Sequence, residues 1–373
     1  MKEVIVNALP MTVVGTGIGR FQRGLAGALA GGLGEDACGV RPVWFTGNAV
    51  SPIPPEPGPP GWLERVGRLL WRMPWPVAYG ARLARHVVTE RRFAGASRGF
   101  DVYHEAGYFP FVNGAARTVL TVHDLSLLLH PEFHPRERVR YFNRYFKDRL
   151  ALAHAFCAVS EFTRRQMVEH LKLDPARIRV TAPGVDPVLF NEGDDPQARS
   201  LLDRAGTPER YVLFVGTGDP RKNADLAVAA LAGTRSRLPL VTVGWAGWAA
   251  PPVGSRGRVD LGYVSDRLLA QLYRSAALLV VPSDYEGFGL PVIEAMACGC
   301  PVVVADAGAL PETGGEAALV VPDVRDAAGF AACMDRIIEC PEEGERLRAL
   351  GFERAERFTW TRTARETTAA WLD

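Results

Sequence analysis

Short runs of β-branched and other apolar residues recur along this chain, and stretches of helical period separate most of them. In the first half the runs are Val4–Leu9, Val40–Phe45, Val102–His104, Thr118–Val122, Ala155–Val159 and Ile178–Thr181. A stretch rich in Pro, Asp and Gly at 183–197 interrupts the alternation. It restarts with Tyr211–Val215, Leu240–Val243, Val259–Leu261, Leu278–Val281, Val302–Val304 and Ala318–Val321. Strands that are apolar throughout predict parallel sheets covered by helices on both faces. Two such series predict an α/β protein of two Rossmann-like, doubly wound domains facing across a cleft. The boundary is expected near 190–205, and 359–372 is expected to be helical. The run from Ser51 to Gly61 holds too much Pro and Gly for regular structure and predicts an exposed loop.

Composition changes this picture little. At roughly 100–200 residues per domain, 373 residues suit two domains. A 47% hydrophobic content excludes disorder across the whole chain. No apolar run reaches the length of a spanning helix, and the apolar part of the first seven residues is too short for a signal peptide. Cysteines at 38, 157, 298, 300, 333 and 340 form no C-x-x-C pair and no zinc spacing, so a reduced, cytoplasmic chain is expected.

Charge adds more. The net charge of +1 hides an asymmetry: residues 1–186 carry +8 and the remainder −7. A globally basic nucleic-acid binder is excluded by that balance. The positive excess sits in 62–98, where eight Arg are interleaved with Trp62, Trp71, Trp75, Tyr79 and Phe93. It also sits in 136–149, where Arg136, Arg140, Arg144 and Lys147 fall on one helical face. Two readings are open: solvated helix faces over a core stripe, or contact with an anionic surface such as the inner membrane leaflet or a pyrophosphate-linked acceptor.

Three segments carry candidate chemistry. Gly15-Thr16-Gly17-Ile18-Gly19-Arg20 follows the first strand and opens a helical pattern. Glycines allow close backbone approach, and a helix N-terminus suits phosphate. The dinucleotide fingerprint is not met, because Arg20 stands where its third Gly would fall. In the second half, Arg221 and Lys222 follow the strand Tyr211–Val215, at the sheet edge where ligands bind in open α/β folds. Two cations there can balance a diphosphate, Arg by its planar fork and Lys as a point charge. Finally, Glu286-Gly-Phe-Gly-Leu-Pro-Val-Ile-Glu294 follows the strand Leu278–Val281. Pro291 favours a helix start, and Glu286 and Glu294 can face one site from different depths.

That last string resembles the E-x7-E signature of the retaining family 4 glycosyltransferases, which have the two-domain GT-B fold. Other segments resemble the same family in the same order: the glycine loop at 15–20, Val122-His123-Asp124-Leu125, Val159-Ser160-Glu161-Phe162-Thr163, Pro183-Gly184-Val185-Asp186, Val215 to Asn223 with its Arg-Lys-Asn, and Leu261 to Asp266. Residues 48–100 match nothing in that pattern, and Thr217-Gly218-Asp219 departs from it where many relatives carry Glu.

The resemblance implies an enzyme, a hexosyltransferase. It implies residues 1–195 as the acceptor-binding domain, 196–356 as the nucleotide-sugar domain, and 357–373 as a helix returning to the first. His123, Arg221, Lys222 and Glu286 are the implied catalytic residues. Arg221 and Lys222 would hold the donor diphosphate, with the Gly17 and Gly289 backbones closing around it, and Gly15, Gly287, Phe288 and Leu290 are further implied donor-binding residues. Glu294 would take the ribose, Glu286 the sugar hydroxyls, and Tyr263 and Val264 the base. No metal and no cofactor are implied, only a nucleotide-sugar donor. Cations and helix dipoles would stabilise the leaving diphosphate. Asp124 and Glu105 stay open as nucleophiles of a double displacement.

The segment from Val122 to Pro135 looks closest to mannosyl- and rhamnosyltransferases of bacterial O-antigen and surface polysaccharide synthesis. GDP-mannose or GDP-rhamnose is the expected donor, with UDP-glucose or UDP-N-acetylglucosamine as the alternative. A growing, polyprenyl-diphosphate-linked glycan is the expected acceptor, reached by peripheral contact with the inner face of the plasma membrane. The rival classes are a nucleotide-sugar epimerase and a non-catalytic scaffold. Glu286, Glu294 and Arg221-Lys222-Asn223 argue against both.

Overall fold

The computed structural model describes residues 1–12, 16–31, 39–56, 75–245 and 258–373. The chain forms two compact units, one of Met1–Gly184 with Trp360–Asp373, the other of Val185–Thr359.

The first unit is a seven-stranded sheet. Its strands are β1 (Lys2–Asn7), β2 (Val40–Phe45), β3 (Val50–Ser51), β4 (Val102–Glu105), β5 (Arg117–Val122), β6 (Ala155–Ala158) and β7 (Ile178–Val180). They lie in the order β3-β2-β1-β4-β5-β6-β7, parallel throughout except for β3 against β2. The second unit holds β8 (Val212–Val215), β9 (Leu240–Val243), β10 (Arg258–Gly262), β11 (Leu278–Val281), β12 (Val302–Ala305) and β13 (Ala318–Val321). Their order is β10-β9-β8-β11-β12-β13, all parallel. Each sheet therefore reverses its winding once, between β1 and β4 and between β8 and β11. That switch point is where an open α/β sheet offers a binding crevice beyond its carboxyl ends.

All twelve expected strands are present. β1 ends at Asn7 rather than Leu9, because Leu9–Thr12 turns into a 3₁₀ helix that buries Met11. β3 was not expected, since two residues leave no periodicity to read. The units divide at 184/185, for a local reason. Val185 pairs with Thr359, and the Arg274 guanidinium holds the Leu189 and Asn191 carbonyls at 2.8 and 2.7 Å. Residues 185–191 are thereby tied to the second unit.

The central strands are buried at nearly every position, as covered parallel sheets require. The helix Trp360–Leu372 covers part of the first sheet. Trp371 is fully buried edge-on to His104, and the Thr363 hydroxyl donates to the Ala182 carbonyl at 2.6 Å. Among the described residues no helix is long and apolar enough to cross a membrane.

Two surface helices carry much of the basic excess. Trp75–Ala96 leaves Trp75, Val77, Val87 and Val88 exposed beside Arg85, Arg91 and Arg92. Arg136–Leu150 packs with it through Tyr141 and Tyr145 against His86, buries Phe142 and Phe146 in the core, and exposes Arg136, Arg140, Arg144 and Lys147. The Arg140 guanidinium lies over the Trp75 and Tyr79 rings at 5.4 and 5.7 Å. Trp62 and Trp71 fall outside the described residues.

Candidate active site

In the second unit the site is built across the switch point. β8 ends at Val215, and Pro220–Lys222 forms a one-turn 3₁₀ helix capped by Asp219. Asp219 accepts from the Arg221 backbone N–H at 3.2 Å and from its Nε at 2.9 Å, so one buried carboxylate fixes both ends of that arginine. Asn223 then takes a left-handed conformation and opens the next helix. β11 delivers Ser283 and Glu286 from the neighbouring strand end. The Asp284 N–H donates to the Arg221 carbonyl at 2.7 Å, and the Arg221 Nη1 donates to the Tyr285 carbonyl at 3.0 Å. The two loops are thus laced together.

Within this frame Lys222, Arg221 and Glu286 form one ion cluster. Lys222 Nζ donates to Glu286 Oε1, Ser283 Oγ reaches the same oxygen at 2.9 Å, and Arg221 Nη1 stands 3.5 Å from Oε2. Glu286 is buried. Burial pushes its carboxyl up, but the charges of Lys222 and Arg221 outweigh that and hold it below the usual carboxylate range. The carboxylate is therefore ionised at neutral pH.

The string after Glu286 is held by its backbone. Gly289 has φ +99°, and a Cβ there would sit 2.9 Å from Leu310 Cδ2. Glycine is required at that helix start. Gly287 and Phe288 are buried, and the Phe288 carbonyl accepts from the Thr313 hydroxyl at 2.5 Å. Leu290 begins the helix Leu290–Ala297, with Pro291 in its first turn. Glu294 is buried one turn into that helix and accepts from the Tyr273 hydroxyl at 3.2 Å. Tyr263 and Val264 follow β10, on the same carboxyl edge beyond β9, and Tyr263 is half exposed.

The first unit repeats the logic with different groups. Asn7 at the end of β1 donates from Nδ2 to Glu105 Oε2 at 2.7 Å, across the switch point to the end of β4. Tyr103 donates to the same oxygen, and the Gly107 N–H to Oε1 at 2.6 Å. Burial pushes the Glu105 carboxyl up to about 7, against those three hydrogen bonds. His123, just past β5, meets the Ala106 carbonyl through Nε2 at 2.9 Å. Nε2 therefore carries the proton, and Nδ1 is the lone-pair nitrogen. Burial lowers the His123 pKa, with the Ala106 carbonyl and Asp124 opposing it, so the ring is neutral at pH 7. The Asp124 Oδ1 accepts from the Ser126 N–H and hydroxyl at 2.9 and 2.6 Å.

Gly17 opens the helix Gly17–Gly31, but nothing lies within 4 Å of a Cβ added there. Gly19 is the glycine that packing requires, since its Cβ would stand 2.7 Å from the Pro10 carbonyl oxygen. Gly15 falls outside the described residues. Among the described residues no group of three or more His, Cys, Asp or Glu could hold a metal ion.

Of the residues singled out in the sequence, the structure brings Arg221, Lys222 and Glu286 together. Sequence reasoning did not single out Ser283 and Asp219, their partners. It also missed the Asn7–Glu105 pair, whose only signal was the place of each residue at a strand's carboxyl end.

Comparisons with known proteins follow the same division. The family model described as Glycosyltransferase Family 4 matches residues 17–189, and the one described as Glycosyl transferases group 1 matches 209–340. The O-antigen chain mannosyltransferase B of Escherichia coli is 32% identical over 302 residues, which is 77% of this chain and 79% of that one. The D-inositol 3-phosphate glycosyltransferase of Frankia alni is 38% identical over 226 residues, about half of each chain at 54%. Among solved structures, Anabaena Alr3699/HepE in complex with UDP-glucose superposes with a TM-score of 0.70 at 16% identity, covering 100% of this chain and 99% of that one. At that identity the likeness speaks to the fold.

Proposed function

On the premise that this chain belongs to the family 4 glycosyltransferases of the GT-B fold, moving a sugar from a nucleotide-sugar donor to a glycan acceptor, we propose that the Lys222, Arg221 and Glu286 cluster is where the donor's diphosphate and sugar meet. The observation that carries this is the cluster's position: two cations and a buried carboxylate bridging the switch point of the second sheet. As the glycosidic bond breaks, negative charge grows on the diphosphate. Lys222 and the Arg221 fork are fixed in place beforehand, so they stabilise that charge with little reorganisation. Glu286 faces both cations and hydrogen-bonds the sugar hydroxyls. Glu294 takes the ribose, and the half-exposed Tyr263 with Val264 takes the base.

His123, in the first unit, is neutral and offers Nδ1 as an acceptor. The reading has no covalent intermediate: the acceptor attacks on the face the diphosphate leaves, and the phosphate takes its proton. In support, Glu105 is buried and already accepts three hydrogen bonds, while Asp124 is engaged by Ser126.

For the donor, the comparisons lend more support to a uridine-linked hexose than to the GDP-sugar expected from the sequence. The complexes of a fold neighbour with UDP and with UDP-glucose support that reading. GDP-mannose is the second reading, favoured by the O-antigen mannosyltransferase. A thermal-shift panel of UDP, GDP, ADP, dTDP and CMP separates them. At 100 times its dissociation constant a ligand stabilises by about 2.7 kcal/mol. UDP is expected to raise the melting temperature. A shift with GDP alone would restore the guanosine reading, and no shift with any nucleotide would remove the donor site itself.

The proposed acceptor is a lipid-linked glycan, met at an anionic membrane surface by the two basic helices of the first unit. Each Arg at such a surface contributes about 1 kcal/mol. Changing Arg136, Arg140 and Arg144 together to Glu is therefore expected to abolish co-sedimentation with phosphatidylglycerol vesicles. Retained binding would show that these arginines are a solvated face.

A further inference from the structure

Glu105 ends β4 at the switch point of the first sheet, and the three groups that donate to it all belong to the first unit. Its Oε2 takes the Asn7 amide at 2.7 Å and the Tyr103 hydroxyl. Each of those donors is aimed by a bond of its own. The Asn7 Oδ1 accepts from the Leu9 N–H at 3.3 Å, and the Tyr103 hydroxyl oxygen accepts from the Phe111 N–H at 3.2 Å. The carboxylate so held turns Oε1 back onto its own chain, where it accepts from the Gly107 N–H at 2.6 Å. That N–H and the Ala106 carbonyl are the two ends of one peptide group, and the carbonyl accepts from His123 Nε2 at 2.9 Å. A peptide is planar and trans, with N–H and C=O pointing opposite ways, so fixing one aims the other.

We propose that Glu105 is a positioning residue for His123: by gripping the Gly107 N–H it keeps the Ala106 carbonyl toward the ring, and so keeps the proton on Nε2 and the lone pair on Nδ1. The inference rests on the reading above in which His123 serves the transfer through Nδ1. The glycine is what gives the carboxylate this part. Gly107 tolerates backbone angles that other residues do not, so sterics alone do not stop the 106–107 peptide from turning over. Turned over, it would aim the carbonyl at Oε1, acceptor against acceptor, and the N–H at His123 Nε2. The imidazole would then accept at Nε2 and carry its proton on Nδ1. The same glycine makes room for the grip, since a Cβ at 107 would stand 2.5 Å from Oε1. The Phe21 ring, edge-on to His123 at 5.1 Å, sets the tilt of the imidazole but has no polar atom with which to choose a tautomer.

The test reads the His123 ring in the full chain labelled with ¹⁵N-histidine, its signals among the seven histidines assigned with His123→Gln. Spectra are taken at about pH 8, above the value of about 7 to which burial raises the Glu105 carboxyl. The wild type is expected to show Nε2 protonated and Nδ1 bare. Glu105→Leu removes the grip and is expected to move the ring toward the Nδ1-protonated form. Glu105→Gln keeps an oxygen for the Gly107 N–H and is expected to retain the wild-type form. Gly107→Ala crowds Oε1 while leaving the carboxylate in the chain; it is expected to move the ring as Glu105→Leu does, and it decides the matter should Glu105→Leu not fold. A role in packing alone would lower stability without moving the proton. An unchanged tautomer in Glu105→Leu or Gly107→Ala would therefore overturn the proposal, as would a wild-type ring protonated on Nδ1. In steady-state transfer Glu105→Leu is expected to lower kcat about 100-fold, the low end of what one positioned proton-handling side chain contributes, and Glu105→Gln to recover most of it. UDP affinity is expected to change by less than about threefold. Wild-type protein that transfers no sugar from any donor would instead remove the transferase reading, and the ring spectra would still judge the grip.

Discussion

Lys222→Ala abolishes the UDP-dependent thermal shift and lowers kcat/KM for transfer by about 10³–10⁴-fold, a loss of roughly 4–5.5 kcal/mol in transition-state stabilisation. Two effects add. The diphosphate loses its point charge, and Glu286 is left buried with only Arg221 at 3.5 Å and the Ser283 hydroxyl to oppose its charge. Breaking a buried pair by removing one partner typically costs about 3–5 kcal/mol of stability. The double variant Lys222→Ala/Glu286→Gln separates these effects. It removes the stranded charge and is expected to recover stability but not transfer. The acid limb of the stability curve gives an independent check. Glu286 holds its proton less tightly folded than unfolded, so its contribution is complete above about pH 5 and is lost as pH falls through the lowered folded value. In Lys222→Ala the carboxylate has lost its main counter-charge, so that acid-side loss of stability shrinks. Lys222→Ala protein that binds UDP within threefold of wild type would take the diphosphate away from this lysine.

Gly308→Ala is expected to be as damaging from a position with no polar side chain at all. Gly308 has φ +59°, and its missing Cβ would stand 2.3 Å from the Glu286 carbonyl oxygen and 2.6 Å from the Glu286 nitrogen. Those are backbone atoms, which no rotamer change can move. The adjacent Ala309 N–H donates to the same carbonyl at 2.9 Å, so any retreat of the chain breaks that bond. A left-handed alanine alone costs about 1–2 kcal/mol, and the clash adds at least as much. Displacing Glu286 by about 1 Å would lower transfer on the order of 100-fold. Gly80→Ala is the control: nothing lies within 4 Å of its added Cβ, and alanine favours the helix Trp75–Ala96. Equal activity in Gly308→Ala and Gly80→Ala would show that the loop tolerates movement.

What could be read from the sequence follows the range of each signal. Strands such as Leu278–Val281 and Val302–Ala305 declare themselves locally, because burial on both faces leaves no polar residue among them. Glu286 and Lys222 were legible for the same reason: each stands just past such a strand, in a string of glycines or cations. The contacts that finish the site leave no local trace. Asn7 and Glu105 are 98 residues apart, and neither strand hints at the other. Gly308 looks like an ordinary loop glycine until the Glu286 backbone is placed beside it. Gly19 is likewise silent in the sequence: only the Pro10 carbonyl packed beside it shows that the glycine there is required.

The course of the chain also dictates an order of maturation. The second unit is one uninterrupted segment, Val185–Thr359, and can complete its sheet as soon as that segment is synthesised. The first unit cannot. Its sheet is finished by residue 184, yet the helix that covers it begins at Trp360, with Trp371 and Ala364 among its fully buried side chains. For as long as 175 or so residues of the other unit are being made, the surface those side chains will cover is open to water. The half of the protein made first is thus the last to be sealed, and it is the half that a chaperone would have reason to hold.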